Sequence, residues 1–334
     1  MTQVGKMAQE AAVPSLNAEN MAFLLPKMLF KNPAMLKTIR KMGPDEERYT
    51  SPPRSYELPE YRKGMKYSTS KEKYLRRGRW CNHREPEVVA LAHELGAYEL
   101  PDREFAEAAY WWMKSNMWYE MSGFYGPGET LRRGVGACLH FNNTYIALCR
   151  CAGIKARFKG YKMRFRPIER EVFTDVDPEF ASMWERAGGE IPEAETEVFI
   201  DGTWMTAYLP QTALLTAATG WPIAEFGESS LGMYFQALPG TIERYESISL
   251  GTGLAAKFAT KIAPATMERL NVRMRRVQEL GRQELDDAGG IQGYNWVAKR
   301  KMEIMSPDEV LDLAVEKHYD KIIIKNPEIP LRPR

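Results

Sequence analysis

Residues 134–143 read Gly134-Val135-Gly136-Ala137-Cys138-Leu139-His140-Phe141-Asn142-Asn143. This stretch places a cysteine just after a glycine-rich turn, at the first turn of a predicted helix. The free backbone N–H groups and the positive dipole end of a helix stabilise a thiolate over a thiol. A glycine turn also lets the backbone approach a bound carbonyl closely. The pattern predicts that Cys138 is a reactive nucleophile rather than a packed core cysteine.

A second block follows about 50 residues later and reads Glu193-Ala194-Glu195-Thr196-Glu197-Val198-Phe199-Ile200-Asp201-Gly202-Thr203-Trp204. An Asp-Gly pair between two apolar runs is a strong signal for a tight hairpin turn. On the strand before the turn, alternate residues share one face, so the three glutamates are expected to lie on the same side of the sheet.

Together the two blocks resemble the transglutaminase-like superfamily. In that family the cysteine helix ends in Arg-Ala-x-Gly-Ile-x-Ala-Arg, and here the corresponding residues are Arg150-Cys151-Ala152-Gly153-Ile154-Lys155-Ala156-Arg157. The family hairpin reads His-x-x-x-Glu-x-aromatic-x-Asp-Gly-x-Trp, which puts Glu193 at the position of the family histidine. The family's Asp falls near Tyr208. The resemblance therefore implies a catalytic set of Cys138, Glu193 and Tyr208.

The resemblance also implies an α+β fold with a papain-like core, in which the cysteine-bearing helix packs on an antiparallel sheet. It covers roughly residues 85–250 of the 334 in the chain. We therefore expect three parts: a basic, partly helical N-terminal arm at 1–84, a catalytic core at 85–250, and a helical C-terminal extension at 251–334.

Further side chains near the two blocks are candidates for substrate binding. His140 lies about 200° round the helix from Cys138, so it is not expected to form a dyad with the thiol. The family often carries a polar residue at this position, and the resemblance therefore implies that His140 lines the site. Asn142, one turn after Cys138, shares its face of the helix. Glu195 shares the face of Glu193, and Arg133, just before the glycine turn, is suited to an acidic group. Trp112 belongs to an aromatic-rich predicted helix at 102–117, part of which is expected to line a pocket.

Bulk properties exclude several classes of partner. The formal net charge of +2 predicts no nucleic-acid partner, and neither a nucleotide-binding glycine motif nor metal-ligand spacing is present, so we expect no cofactor and no metal. Four cysteines and the absence of a secretory signal indicate a cytoplasmic protein. Residues 21–41 combine an apolar run with lysines and an arginine. This segment either docks on the domain or contacts a membrane or a neighbouring subunit.

Three functions remain open at this level. The first is acyl transfer, cyclisation or hydrolysis on an amide or thioester of a small-molecule, acyl or peptidyl substrate, through a Cys–Glu site. The second is proton transfer by the same pair, as in a lyase or isomerase that forms no acyl-enzyme. The third is a non-catalytic binding protein. The lost histidine argues against ordinary amide hydrolysis, because a carboxylate takes over its role only if burial raises its pKa.

Overall fold

The computed structural model describes residues 49–164, 190–228, 237–251, 253–254, 256–257 and 264–322. The segment 21–41 lies outside these residues. Eight helices occur in the described ranges: α1 Pro86–Glu94, α2 Asp102–Asn116, α3 Pro127–Arg133, α4 Cys138–Cys151, α5 Ala213–Ala218, α6 Pro264–Asp287, α7 Ile291–Ile304 and α8 Pro307–Ile322. The strands are β1 Trp118–Tyr119, β2 Val135–Gly136, β3 Ala156–Arg164, β4 Glu190–Ile200, β5 Thr203–Ala207 and β6 Glu243–Tyr245.

The main sheet is antiparallel, with the strand order β5-β4-β3-β6. β4 and β5 form the expected hairpin. Its turn residues Asp201 and Gly202 both have positive φ, at 52° and 80°, which is the backbone of the tight turn that Asp-Gly favours. The short strands β1 and β2 form a separate parallel pair, which leads directly into α4.

Helix α4 lies at the centre of the molecule, and every residue from His140 to Cys151 is buried. It packs against β4 and β3 on one side of the sheet, where Phe158 and Val198 join the core that also includes α1 and α2. The α+β fold with a cysteine-bearing helix on an antiparallel sheet is therefore confirmed.

The other side of the sheet is covered by helices from the C-terminal part of the chain. Tyr161 and Met163 of β3 belong to a second apolar cluster with residues of α5, α6 and α8. α5 and α6 approach so closely that a Cβ at Gly281 would lie 1.7 Å from the backbone oxygen of Leu214. The position therefore requires glycine. The sheet thus lies between two helical layers, although the division into parts at 84 and 250 stays a prediction.

Candidate active site

Cys138 is the first residue of α4 and is partly exposed. The turn before it is tight: a Cβ at Gly136 would lie 2.7 Å from the Cβ of His140. The backbone N–H of Leu139, in the first turn of the helix, donates a hydrogen bond to the thiol sulfur. The local sequence thus places a sulfur atom at a helix N-terminus, as expected from the Gly-x-Gly-x-Cys pattern.

The thiol of Cys138 is hydrogen-bonded to the carboxyl group of Glu193. Both side chains keep a little surface at solvent but are otherwise surrounded by protein atoms. Burial, followed by the neighbouring Glu193 carboxylate, raises the pKa of the Cys138 thiol well above its usual range. The Leu139 N–H opposes this shift but does not cancel it, so the thiol is protonated at neutral pH. The position at the helix start, taken alone, predicts a low thiol pKa. With all the neighbouring groups included, the pKa of the Cys138 thiol is raised instead.

Glu193 has an altered pKa as well. Burial raises the pKa of its carboxyl group to about 7, although the hydrogen bonds from the Ala194 N–H and Cys138 act in the opposite direction. The Ala194 N–H lies 2.8 Å from the Glu193 carboxyl oxygen. A carboxyl group with a pKa near neutrality exchanges a proton readily in both directions, which an ordinary surface glutamate does not do.

The surroundings of Glu193 differ from those of the other two glutamates on the same face of β4. The residues directly opposite on β3 are Tyr161 for Glu193, Lys159 for Glu195 and Arg157 for Glu197. Lys159 Nζ lies 2.5 Å from the Glu195 carboxylate, and Arg157 Nε lies 2.7 Å from that of Glu197. Glu193 faces an uncharged phenol instead. Burial is the main cause of the raised pKa of Glu193, and the residue opposite it on β3 supplies no cation to offset that burial.

Tyr119 also lies beside the thiol, and no local pattern in the sequence predicts this. Its hydroxyl donates a hydrogen bond to the Met121 sulfur at 3.7 Å and lies close to the Cys138 sulfur, while the Cys138 backbone N–H donates to the phenolic oxygen. Burial raises the pKa of Tyr119 well above its usual range, so the phenol keeps its proton. A hydroxyl beside a helix N-terminus is suited to stabilise negative charge that develops on a bound carbonyl oxygen.

Helix α6 holds Tyr119 in place through two side-chain amides. Gln278 accepts a hydrogen bond from the Tyr119 N–H at 2.6 Å and donates one to the Tyr119 carbonyl at 2.9 Å. Asn271, two turns earlier, makes the same pair of bonds to Met121, at 2.7 and 3.0 Å. The two amides pair with the backbone at the end of β1 and just after it, much as a neighbouring strand would. A helix from the C-terminal part of the chain therefore fixes the position of a residue beside the thiol.

Two further tyrosines lie within the electrostatic influence of the pair. Burial and the charges of Glu193 and Cys138 raise the pKa values of Tyr161 and Tyr245. Tyr245, on β6, stacks on Phe158 with ring centroids 5.1 Å apart. The described surroundings of the thiol are thus phenolic and acidic.

His140, predicted to line the site, makes hydrogen bonds inside the protein at the start of α4. Its Nδ1 accepts a hydrogen bond from the Ala137 N–H at 3.0 Å, so the other ring nitrogen carries the proton and faces the Gly123 carbonyl at 3.4 Å. Its ring lies 4.3 Å from that of Tyr125. Burial lowers the pKa of His140 to about 4, and the imidazole is therefore neutral at physiological pH. The structure does not bring this ring to the thiol.

Asn142 joins α4 to β4 and is fully buried. Its amide group donates to the carbonyls of Cys138 and Ala194 at 2.9 and 2.6 Å and accepts from the Thr196 hydroxyl at 2.8 Å. Both amide hydrogens are used in these bonds. The side chain predicted to bind substrate therefore connects the residue that carries the thiol to the neighbour of Glu193.

Tyr208 lies in the second apolar cluster, with Tyr161. The Nζ atom of Lys114 stands 4.8 Å from the centre of its ring and donates a 2.7 Å hydrogen bond to the Gln211 carbonyl. Burial lowers the pKa of Lys114 to about 7. The phenol in hydrogen-bond contact with Cys138 is that of Tyr119, and a proton-transfer role for Tyr208 stays a prediction.

The remaining substrate-binding candidates make internal contacts. Arg133 donates to the buried carboxylate of Glu120 at 3.0 Å and lies over the ring of Tyr125. Trp112 contacts Tyr56 edge to face, with centroids 4.7 Å apart. Glu195 is held by its ion pair with Lys159, described above. Their predicted roles in substrate binding stay untested.

Comparison with known proteins supports the family resemblance. Residues 89–209 match the sequence model of the transglutaminase-like superfamily, a range that includes both Cys138 and Glu193. This part of the chain is therefore similar in sequence to a transglutaminase-like domain. No curated protein matches the sequence.

A solved structure from Cytophaga hutchinsonii, provisionally described as a cysteine protease, is 19% identical with a TM-score of 0.31. That match covers 46% of this chain and 48% of the other, so each chain is matched over about half its length. A likeness this distant adds nothing to the assignment.

Two structural properties bear on ligands and environment. Among the described residues, no three or more His, Cys, Asp or Glu side chains are grouped as metal ligands would be. None of the helices in the described ranges is long and apolar enough to cross a membrane.

Proposed function

We propose that the transglutaminase-like domain is a cysteine-dependent acyl-transfer enzyme in which Cys138 is the nucleophile and Glu193 carries the proton. The observation that supports this most directly is the hydrogen bond between the thiol and a carboxyl group whose pKa burial raises to about 7. A carboxylate that replaces histidine needs a pKa raised in this way to exchange a proton near neutral pH. The pair therefore has the proton-transfer capacity that the lost imidazole would have supplied.

The first half of the reaction acylates the cysteine. The sulfur of Cys138 attacks the carbonyl carbon of the acyl donor, an amide or thioester, and its proton passes to the Glu193 carboxylate as the S–C bond forms. Negative charge collects on the carbonyl oxygen, where the N–H groups at the start of α4 and the Tyr119 hydroxyl stabilise it. Glu193 then gives the proton to the leaving atom as the bond to that atom breaks.

The second half returns the enzyme to its starting state. An incoming nucleophile, water or an acceptor molecule, attacks the acyl carbon and loses its proton to Glu193. The S–C bond breaks and the sulfur takes the proton back. Because Glu193 acts first as a base, acylation is expected to increase as the pH rises through about 7.

The test is trapping of an acyl-enzyme. Wild type is mixed with p-nitrophenyl acetate at about pH 8, where Glu193 is ionised and the thiol is not. The burst of nitrophenolate is followed, and the acetylated residue is identified by mass spectrometry. We expect acetyl-Cys138, no burst in Cys138→Ala, and about 100-fold slower acylation in Glu193→Gln.

The matched control is Glu190→Gln, on the same strand. Its carboxylate is partly exposed and lies 3.1 Å from Lys162 and 3.5 Å from Arg164, so its loss should leave acylation unchanged. Acetyl groups found only on surface lysines, or equal rates in wild type and Glu193→Gln, would contradict the proposal.

A second candidate is proton transfer without an acyl-enzyme, as in a lyase or isomerase. The observation that favours it is the raised pKa of the thiol, which leaves a protonated Cys138 beside an ionisable carboxyl group. Exchange of solvent deuterium into a substrate with no acetyl-Cys138 in the trapping experiment would support this reaction instead. An inert thiol in both experiments would indicate a binding protein.

A further inference from the structure

The chain carries its positive charge unevenly. Residues 61–84, the basic segment, contain nine lysines and arginines and one acid, Glu72, which gives the segment a charge of +8 in a chain whose formal net charge is +2. The segment belongs to the part of the chain that the sequence predicts to be a basic arm. The proposed acyl transfer uses none of these residues, so their concentration in one segment has another cause.

The positive groups lie on the surface, and most of them have no acidic partner. Eight of the nine are exposed: Arg62, Lys63, Lys66, Lys71, Lys73, Arg76, Arg77 and Arg79. Within the described ranges, Arg76 is the one that forms an ion pair, with Glu246 at 2.5 Å. Glu72, the single acid of the segment, pairs with Lys155. The electrostatic potential outside this surface is therefore positive.

The basic segment lies around the C-terminal end of α4. The Ser68 N–H donates a 3.0 Å hydrogen bond to the carbonyl of Cys151, the last residue of that helix. The Tyr74 carbonyl accepts one of 3.1 Å from the Ala156 N–H, at the start of β3. Cys138 is at the other end of α4, about 20 Å away at about 1.5 Å per residue. The basic surface is therefore separate from the candidate active site.

Exposed apolar side chains lie beside the lysines. Tyr98 and Leu100, in the turn between α1 and α2, are 37% and 41% exposed. The Tyr98 hydroxyl donates to the Cys151 carbonyl at 2.5 Å, and Lys66 Nζ lies 4.1 Å from the centre of the Tyr98 ring. Aromatic and leucine side chains next to basic ones are typical of surfaces that enter the headgroup region of a bilayer.

We propose that the basic segment, together with Tyr98 and Leu100, binds the surface of a membrane that contains anionic lipids. The lysines and arginines are attracted by the charged headgroups, and the tyrosine and leucine side chains enter the boundary between headgroups and acyl chains. The protein binds peripherally, with Cys138 at the far end of α4. This inference goes beyond the proposed acyl transfer and does not depend on it.

The aromatic rings of the basic segment favour lipid over nucleic acid as the partner. Single-stranded nucleic acids are held by free aromatic faces on which bases stack. Tyr67 and Tyr74 are half-buried, and a cation lies near each ring: Arg84 is 5.6 Å from the first centre and Lys73 4.9 Å from the second. Leu100 neither binds phosphate nor stacks on a base, whereas a bilayer buries it.

The test is sedimentation of the full chain with vesicles of phosphatidylcholine that contain about one third phosphatidylserine, and with vesicles of phosphatidylcholine alone. We expect binding to the first and not to the second, with release at about 0.5 M salt, which screens the attraction. Each basic side chain near an anionic surface strengthens binding about 5-fold, so the double variant Lys71→Gln/Lys73→Gln should bind about 25-fold more weakly.

The matched control is Arg300→Gln/Lys301→Gln, which removes two charges from exposed residues of α7. It should bind the anionic vesicles as wild type does. Alkylation of Cys138 by iodoacetamide at the wild-type rate in both double variants would show that the fold is intact. A loss of binding in the control as large as in Lys71→Gln/Lys73→Gln, or no binding of wild type to the anionic vesicles at low salt, would overturn the proposal.

Two further measurements separate a membrane from other partners. Leu100→Ser should bind the anionic vesicles about 5-fold more weakly, because the exposed 41% of this residue is available for burial in the bilayer. Equal binding by Leu100→Ser and wild type would overturn the proposed apolar contact. Binding of a fluorescent single-stranded oligothymidylate without binding to vesicles would assign the surface to nucleic acid and overturn the proposal.

Discussion

Replacement of Asn142 by alanine should damage stability and catalysis together, because this residue links the two halves of the candidate site. Its side chain is fully buried and makes three hydrogen bonds: to the Cys138 and Ala194 carbonyls and from the Thr196 hydroxyl. At about 1 kcal/mol for each bond, their loss should lower the free energy of unfolding by about 3 kcal/mol. The two carbonyls that lose a donor make this a lower bound.

The control is Thr196→Val, which keeps the volume but removes only the hydrogen bond to Asn142. It should cost about 1 kcal/mol. In the double variant the two losses should not add, because both remove the same bond. Urea unfolding monitored by tryptophan fluorescence gives all four stabilities.

The catalytic effect follows from geometry. Without Asn142, the carbonyl of Cys138 and the residue after Glu193 are no longer joined, and a displacement of about 1 Å between reacting groups can cost about 100-fold in rate. Acylation by p-nitrophenyl acetate should therefore fall strongly in Asn142→Ala and little in Thr196→Val. An unfolding free energy for Asn142→Ala as high as that for Thr196→Val would refute this reasoning.

Three further predictions concern groups around the site. Burial lowers the pKa of Lys114 from 10.5 to about 7, so between these values the unfolded chain binds more protons than the folded protein. The free energy of unfolding of wild type should therefore rise by about 2 kcal/mol between about pH 7 and 9, and that of Lys114→Met should not. Burial lowers the pKa of His140 from 6.5 to about 4, so the free energy of unfolding of wild type should fall by up to about 3 kcal/mol as the pH falls across that interval. Denaturant unfolding should show no such loss in His140→Gln. Gln278→Leu removes both amide bonds to Tyr119 and should slow acylation about 10-fold. The control is Gln283→Leu, a change at an exposed residue of the same helix, which should leave acylation unchanged. Equal acylation rates in the two variants would show that Tyr119 does not take part in the reaction.

Local signals predicted the elements that carry the two reacting groups. The glycines before Cys138 indicated a tight turn into a helix, and Asp201-Gly202 indicated the hairpin; both follow from backbone conformations that few other residues adopt. The family motif then assigned Glu193 by its distance from that turn. In each case the information lies within a few residues, which is why a sequence pattern contains it.

The rest of the site depends on contacts between distant parts of the chain. Tyr119 is held by Gln278, 159 residues away, and neither residue has a pattern that points to the other. His140 and Asn142 were predicted to line the site because they are polar and near Cys138. Their hydrogen bonds to Ala137, Gly123, Ala194 and Thr196 arise only when the helix meets the loop before it and the sheet.

The measurement that tests the account most directly is the rate of Cys138 alkylation by iodoacetamide against pH, in wild type and in Glu193→Gln. Because the Glu193 carboxylate contributes to the raised pKa of the thiol, neutralising it should move the alkylation midpoint to lower pH. A midpoint that is the same in both proteins would contradict a coupled Cys138–Glu193 pair.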